Sequence, residues 1–295
     1  MDIRDQLFVS DFVPFDKSWI MRMGLLDIVH GRPRIKEVLA EREGWGDDLY
    51  ALGRCANDWN SDRPLDVGES ATLYRFLRFA SWKLGTPKEF LLRGTLSQRP
   101  INKDPNIINY RLQDLLKLDN GTSQWASAAV LLGNKEIIPD PPYKLALTYG
   151  ALTHWFQQRD RGEPWDLSYD DTIFYQAMAF VRALKDGYVE FPFGQAEDYC
   201  AARAFGWMDK EEGAARWSSL HGHESDRIEE MECALQELHS GTPITSKDHR
   251  VVQAIAMYAK FKHKEVTFLH PHAVNKSWPR FWKFLEAASA RRRSL

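Results

Sequence analysis

The sequence predicts an α/β fold, on three observations. Apolar alternation in Leu7-Phe8-Val9 and in Val189-Glu190-Phe191 reads as short strands. Longer segments repeat their apolar residues at helical spacing. Strands of the first kind alternate with helices of the second along the chain.

Taken in order, the helical segments justify themselves as follows. Residues 19–26 continue from Lys17-Ser18 as a helical run. Residues 72–83 place Leu73, Phe76, Leu77 and Ala80 on one face. Thr122-Ser123-Gln124 precede a third run over 125–132. The segment 227–238 aligns Ile228, Met231, Leu235 and Leu238, and Gly241 stands where a helix terminator belongs. His249-Arg250 open the run 251–261. In 278–288 the repeat is Trp278, Phe281, Trp282 and Leu285, with Ser277 as expected N-cap and Pro279 in the first turn. The polar, Gly- and Pro-containing stretch 157–164 is the expected crossing between two halves.

Composition narrows the function classes. The chain has 295 residues, 44% hydrophobic and 27% charged, as in a globular protein with a real core. A net charge of −2 gives no global attraction to nucleic acid or to an acidic membrane. The Arg291-Arg292-Arg293 tail reads as a solvated terminus. Cys55, Cys200 and Cys233 are too few and too widely spaced for a disulfide framework or a zinc site, which suggests a reducing, cytoplasmic setting. His221/His223 and His270/His272 have a spacing that could hold a metal on a strand, but no third ligand suggests itself and no metal is assigned. The charged N-terminus does not read as a signal peptide, and no apolar run reaches membrane-spanning length.

The placement of cations is unusual. A helix start carries partial positive charge and disfavours Lys and Arg. Yet Lys17, Arg227 and His249-Arg250 sit at expected helix starts, and Lys276 sits just before another. Repetition suggests a compensating bound anion, because helix-start N–H groups with a nearby cation make a phosphate or carboxylate site. The alternative is that each cation pairs with a neighbouring acid.

These residues fall within a series of short motifs: Pro14-Phe15-Asp16-Lys17-Ser18-Trp19-Ile20-Met21-Arg22, Gly68-Glu69-Ser70-Ala71-Thr72, Gln98-Arg99-Pro100-Ile101, Thr122-Ser123-Gln124, Pro142-Tyr143, His223-Glu224-Ser225-Asp226-Arg227, Asp248-His249-Arg250 and Val274-Asn275-Lys276-Ser277-Trp278-Pro279. In content and order the series resembles the enolpyruvyl transferase family, its shikimate branch in particular. The resemblance implies an inside-out α/β barrel of βαβαββ units in two domains, 14–156 and then 1–13 with 157–295. It implies transfer of the enolpyruvyl group of phosphoenolpyruvate to a phosphorylated cyclic hydroxy acid, with no cofactor and no metal. Lys17, Arg99, Arg227, Arg250 and Lys276 would hold phosphoenolpyruvate, with Ala71 beside it. Ser18, Arg22, Thr122, Ser123, Gln124, Tyr143 and Asp198 would hold the acceptor. Lys17, Asp198 and Glu224 would move protons, with Glu197 an alternative to Asp198 and a helix N-cap the other reading of Asp198.

The chain departs from the family in length, at roughly two-thirds of what such a fold requires. It also departs at Glu69, Ala71, Asp140 and His223, which leave the implied site more acidic. Those departures keep two alternatives open: a different addition or elimination on a cyclic metabolite, or a non-catalytic anion-binding relative.

Overall fold

Asp2, Asp16, Ser70, Asp170, Asp226 and Asp248 each start a helix in the computed structural model of the chain, their side-chain oxygens accepting from first-turn N–H groups. The structure describes residues 2–32, 34–41, 44–136, 145–161, 165, 167–187, 191, 194–217, 220–221 and 226–292. Their contacts divide the chain into two units, Asp16–Leu167 and Met1–Phe15 with Ser168–Leu295.

In the unit Asp16–Leu167, the helix Lys17–Val29 is the central element. It buries Ile20, Met21, Met23, Leu25, Leu26 and Ile28, so its apolar surface runs nearly all round rather than along one stripe. The helices Arg34–Ala40, Asp47–Asp58, Ala71–Lys83 and Ala146–Arg161 pack around it. Gly24 permits a close approach: a Cβ there would lie 2.8 Å from Leu52 Cδ2 and 3.3 Å from Ile35 Cγ1. The helix Gln124–Leu131 packs on Ala71–Lys83, with the Trp82 and Trp125 rings stacked at 6.0 Å. Two parallel strands, Leu65–Asp66 and Phe90–Leu91, pair Leu65 with Phe90 and Asp66 with Leu91.

The unit formed by Met1–Phe15 and Ser168–Leu295 is also helical, with helices Ile3–Ser10, Asp171–Asp186, Tyr199–Ala204, Lys210–Arg216, Arg227–Ser240, His249–Phe261 and Phe281–Arg292. Phe180, Phe191, Trp278, Phe281 and Phe284 form one core cluster. Tyr199, Ile228, Met231, Val251 and Ile255 belong to a second. The first residues of the chain are fixed by side chains from its far end. Trp278 Nε1 donates to Phe12 O at 2.9 Å, and Arg291 pairs with the buried Asp5 at 3.0 Å.

This architecture corrects the expected fold class. The chain is mainly helical, and among the described residues the one sheet is a pair of two-residue strands. It is neither an α/β fold of alternating strands and helices nor an inside-out barrel of βαβαββ units. Leu7-Phe8-Val9, expected as a strand, lies inside the helix Ile3–Ser10, where Asp5 and Val9 point inward one turn apart and Leu7 is exposed. Three residues of alternation do not distinguish the two periods. Of the second expected strand, Phe191 is a buried core residue, and Val189 and Glu190 lie outside the described residues. Ser277 does not cap a helix start. It follows the 3₁₀ turn Pro271–Lys276, and the last helix begins at Phe281. Residues 157–161 complete the helix Ala146–Arg161.

Gly213 offers a direct check of this packing. A Cβ at 213 would meet the ring of Tyr199, a fully buried side chain, at 2.2 Å from Cε2. Gly213→Ala is expected to lower stability by about 1–3 kcal/mol in a denaturant titration, the usual cost of overpacking. A stability equal to wild type would contradict the placement of Lys210–Arg216 on that ring.

Candidate functional site

The cations at helix starts find their compensation within the protein. Asp16 caps the helix that Lys17 opens, accepting from Ser18 N and Trp19 N, and Lys17 Nζ pairs with Asp48 at 2.8 Å. Asp226 caps the helix that Arg227 opens, and Arg227 Nε donates to Asp248 Oδ2 at 2.8 Å. Asp248 in turn caps the helix beginning at His249 by accepting from Arg250 N. Burial opposes the charge on Asp248, but Arg227 and His249 outweigh it and hold the carboxyl well below the usual carboxylate range. Lys17, Arg227 and His249-Arg250 therefore follow an aspartate that neutralises the helix start, so no external anion is needed to explain their positions.

Several of the remaining expected site residues have structural partners as well. Arg22 is buried, donating to Thr148 Oγ1 at 2.9 Å and to the Ser18 carbonyl at 2.8 Å, and burial pushes its guanidinium down to about 10 despite Asp16. Gln124 accepts from Arg75 and donates to Thr72. Thr122 Oγ1 accepts from Gln124 N, and the Ser123 carbonyl accepts from Ser127 N. Ala71 is the first residue of its helix, and Arg99 donates to Thr95 Oγ1 at 2.9 Å. Lys276 ends the turn Pro271–Lys276. Asp198 is buried, which raises its pKa, and it accepts from Gln176 Nε2, Gly194 N and Gln195 N; Glu197 contributes its carbonyl to Gln176 and Arg250. Asp198 thus closes the turn ahead of Tyr199–Ala204 through upstream N–H groups, and its side chain makes no hydrogen bond to the first turn of that helix. Tyr143 and Glu224 lie outside the described residues, as do Asp140 and His223.

Histidine spacing leads to no metal centre among the described residues, where no group of three or more metal-ligating side chains forms. His221 Nδ1 lies 3.1 Å from Asp226, and the His270 and His272 rings sit 6.0 Å apart. No helix among the described residues is long and apolar enough to cross a membrane.

A different constellation forms a pocket in the unit Asp16–Leu167. Its volume is about 260 Å³, and its lining includes Asp27, Arg32, Arg34, Trp155, Gln158 and Arg159. Glu37 and the buried Trp165 complete the described wall. Asp27 sits near the end of the central helix, in the otherwise apolar run Leu25-Leu26-Asp27-Ile28-Val29. Its Oδ1 accepts from Trp155 Nε1 at 2.8 Å and its Oδ2 accepts from Ile35 N at 2.8 Å. The Asp27 carbonyl accepts from Arg32 N at 2.8 Å and closes the turn that carries Arg32 to the rim. The Arg32 and Arg159 guanidiniums lie over the Trp155 ring at 5.1 and 5.7 Å.

Electrostatics at this pocket follow from burial and from the arginines. Burial pushes Asp27 up to about 6, with Trp155, Ile35 N, Arg32 and Arg34 acting in the opposite sense. The adjacent His30 is lowered by burial and then by Arg32 and Arg159, so it stays neutral at pH 7. Gln158 is 7% exposed and lines the pocket, and its Oε1 has no hydrogen-bond partner among the described residues. None of these pocket residues was singled out from sequence. The available signal was an ionisable residue inside an apolar helical run.

No protein-family model, no curated protein and no solved structure matches this chain. Together with the helical fold, this overturns the resemblance to the enolpyruvyl transferases. Enolpyruvyl transfer, the transferase assignment, the shikimate-pathway role and the partners phosphoenolpyruvate and a phosphorylated cyclic hydroxy acid fall with it.

Two carboxylates make opposite predictions for stability. Asp27 has a folded-state pKa above its unfolded value of 3.8, so its ionisation weakens the fold as pH rises from about 4 to about 6. A shift of this size corresponds to on the order of 3 kcal/mol. The stability difference between wild type and Asp27→Asn should therefore change by about 2–3 kcal/mol across that window in urea titrations; parallel profiles would refute it. For Asp248 the sign reverses: its contribution is present above the usual carboxylate range and is lost on acidification. Arg227→Ala, which removes the guanidinium in contact with that buried carboxylate, should cost about 3–5 kcal/mol at neutral pH.

Proposed function

We propose that the unit Asp16–Leu167 is a binding module for a small anionic molecule, held in the pocket of Arg32, Arg34 and Arg159. The observation that carries this reading is the lining of one cavity by three arginines, two of them with guanidiniums over its Trp155 wall, against two carboxylates in the described wall, Asp27 and Glu37. Arginine forks suit carboxylate and phosphate oxygens, and the Trp155 and Trp165 indoles supply apolar contact for the body of the molecule. One carboxylate, Asp27, is 1% exposed and its oxygens accept from Trp155 and Ile35, so it positions the wall and acts on Arg32 and Arg34 only through space.

Binding rather than catalysis follows from the same geometry. A carboxyl with a pKa near 6 in a cavity is a candidate acid–base group on electrostatic grounds. A catalytic base must also reach a substrate proton. Asp27 spends its oxygens on Trp155 and Ile35, and the neutral His30 packs its ring on Trp155 at 4.7 Å.

Benzoate is a suitable probe, being flat, anionic and small. Saturation-transfer NMR and calorimetry on the full chain are expected to show binding that weakens with added salt. Arg32→Ala and Arg159→Ala should each weaken it about tenfold or more, the scale of one charge-assisted hydrogen bond. Unchanged benzoate affinity in both variants would remove the pocket from consideration.

A further inference from the structure

A second cavity, in the unit formed by Met1–Phe15 and Ser168–Leu295, has a different character. It lies among the helices Tyr199–Ala204, Arg227–Ser240 and His249–Phe261 and has a volume of about 390 Å³. Three of its lining residues, Phe205, Tyr258 and Phe261, are aromatic and half-buried. Phe205 joins the other two, its ring centroid 5.3 Å from that of Tyr258 and 5.5 Å from that of Phe261, so the rings form one continuous cluster. Charge around the cavity is unevenly committed. Arg203 spends its fork on Glu232, with Nε 2.7 Å from one carboxylate oxygen and Nη2 2.8 Å from the other, and that pair cancels internally. Lys262 has no carboxylate partner among the described residues. Its Nζ lies instead over the Tyr258 and Phe261 rings, at 5.8 and 5.2 Å from their centroids.

We propose that this cavity binds an aromatic carboxylate of one or two fused rings, its ring system against the aromatic cluster and its carboxylate at Lys262. An aromatic body fits because ring pairs gain energy beyond the area they bury. A carboxylate fits because Lys262 carries the one charge in the described wall that no acid offsets. A cationic ligand at the same rings would meet that ammonium as a like charge. The volume of about 390 Å³ equals about thirteen waters at ~30 Å³ each, and ligand pockets ordinarily begin near ~300 Å³. This cavity shares no lining residue with the arginine-lined pocket, so neither reading depends on the other.

The test compares 2-naphthoate with 2-naphthamide, which share the ring system but exchange the charged carboxylate for a neutral amide. Calorimetry on the full chain should show the naphthoate bound about tenfold more tightly, the scale of one charge-assisted hydrogen bond. In NMR titrations the backbone amide signals of Gly206 and Gln236, both at the cavity, should shift as naphthoate is added. Lys262 is exposed, and in Lys262→Met, checked for native circular dichroism, the preference should fall to about twofold or less while the naphthamide affinity holds. Equal affinities in wild type overturn the proposal without reference to any variant. So does a preference that survives in Lys262→Met. Failure of both compounds to bind overturns it as well, and so do naphthoate shifts confined to residues of the arginine-lined pocket.

Discussion

The Asp27 carboxylate organises the unit Asp16–Leu167. It stands on the central helix and is bonded to Ile35 at the start of one neighbouring helix and to Trp155 within another, 128 residues away in sequence. Its carbonyl closes the turn that carries Arg32. Ionised and nearly inaccessible, it opposes folding at neutral pH through desolvation, and the hydrogen bonds it accepts return only part of that cost. An apolar residue in its place would avoid the desolvation penalty but would leave the Trp155 and Ile35 donors unpaired. The bonds that justify the charge are also the ones that fix Trp155, and with it the platform under Arg32 and Arg159. A binding site whose groups are already fixed loses less freedom on association, so one interaction serves both the packing and the pocket.

The other unit treats its buried aspartate differently. Asp248 also sits at a helix boundary, but it faces a guanidinium at contact distance and accepts the N–H of Arg250. Ser246 extends the arrangement by donating to the Glu230 carboxylate while accepting from Asp248 N. The result is a carboxylate that favours ionisation, where Asp27 resists it. What separates them is the distance to the nearest cation. Arg227 touches Asp248, whereas the Trp155 and Ile35 N–H groups bonded to the Asp27 oxygens are neutral donors, with Arg32 and Arg34 acting through space.

Much of the helical structure was legible in the sequence, and the sheet was not. Residues 72–83, 227–238 and 251–261 show their inward faces at helical spacing, and Gly241 ends its helix in the left-handed conformation at φ 75°. Leu7-Phe8-Val9 failed because three residues carry too little phase to separate a period of 2 from one of 3.6. The pocket was hidden for another reason. Its walls come from residues 27–37 and 155–165, and nothing local announces that those segments meet. What could be seen was Asp27 inside an apolar run, a position that calls for buried hydrogen-bond donors without naming them.

The misreading of the cations has a physical lesson in it. Lys17, Arg227 and Arg250 looked anomalous because each was judged against the helix dipole alone. The sequence already placed Asp16, Asp226 and Asp248 just ahead of them, and an aspartate at that point accepts the orphan N–H groups and cancels the local positive potential. Once the cap is counted, a following cation is free to bind a second carboxylate, as Lys17 does with Asp48 and Arg227 with Asp248. Asp-Lys-Ser, Ser-Asp-Arg and Asp-His-Arg are therefore ordinary ways to begin a helix. Short motifs built from them recur wherever helices start, and their order along a chain carries weight only when the fold between them agrees. Here the intervening chain is helical, and Arg32 and Arg159, which lie in none of those motifs, stand at the pocket.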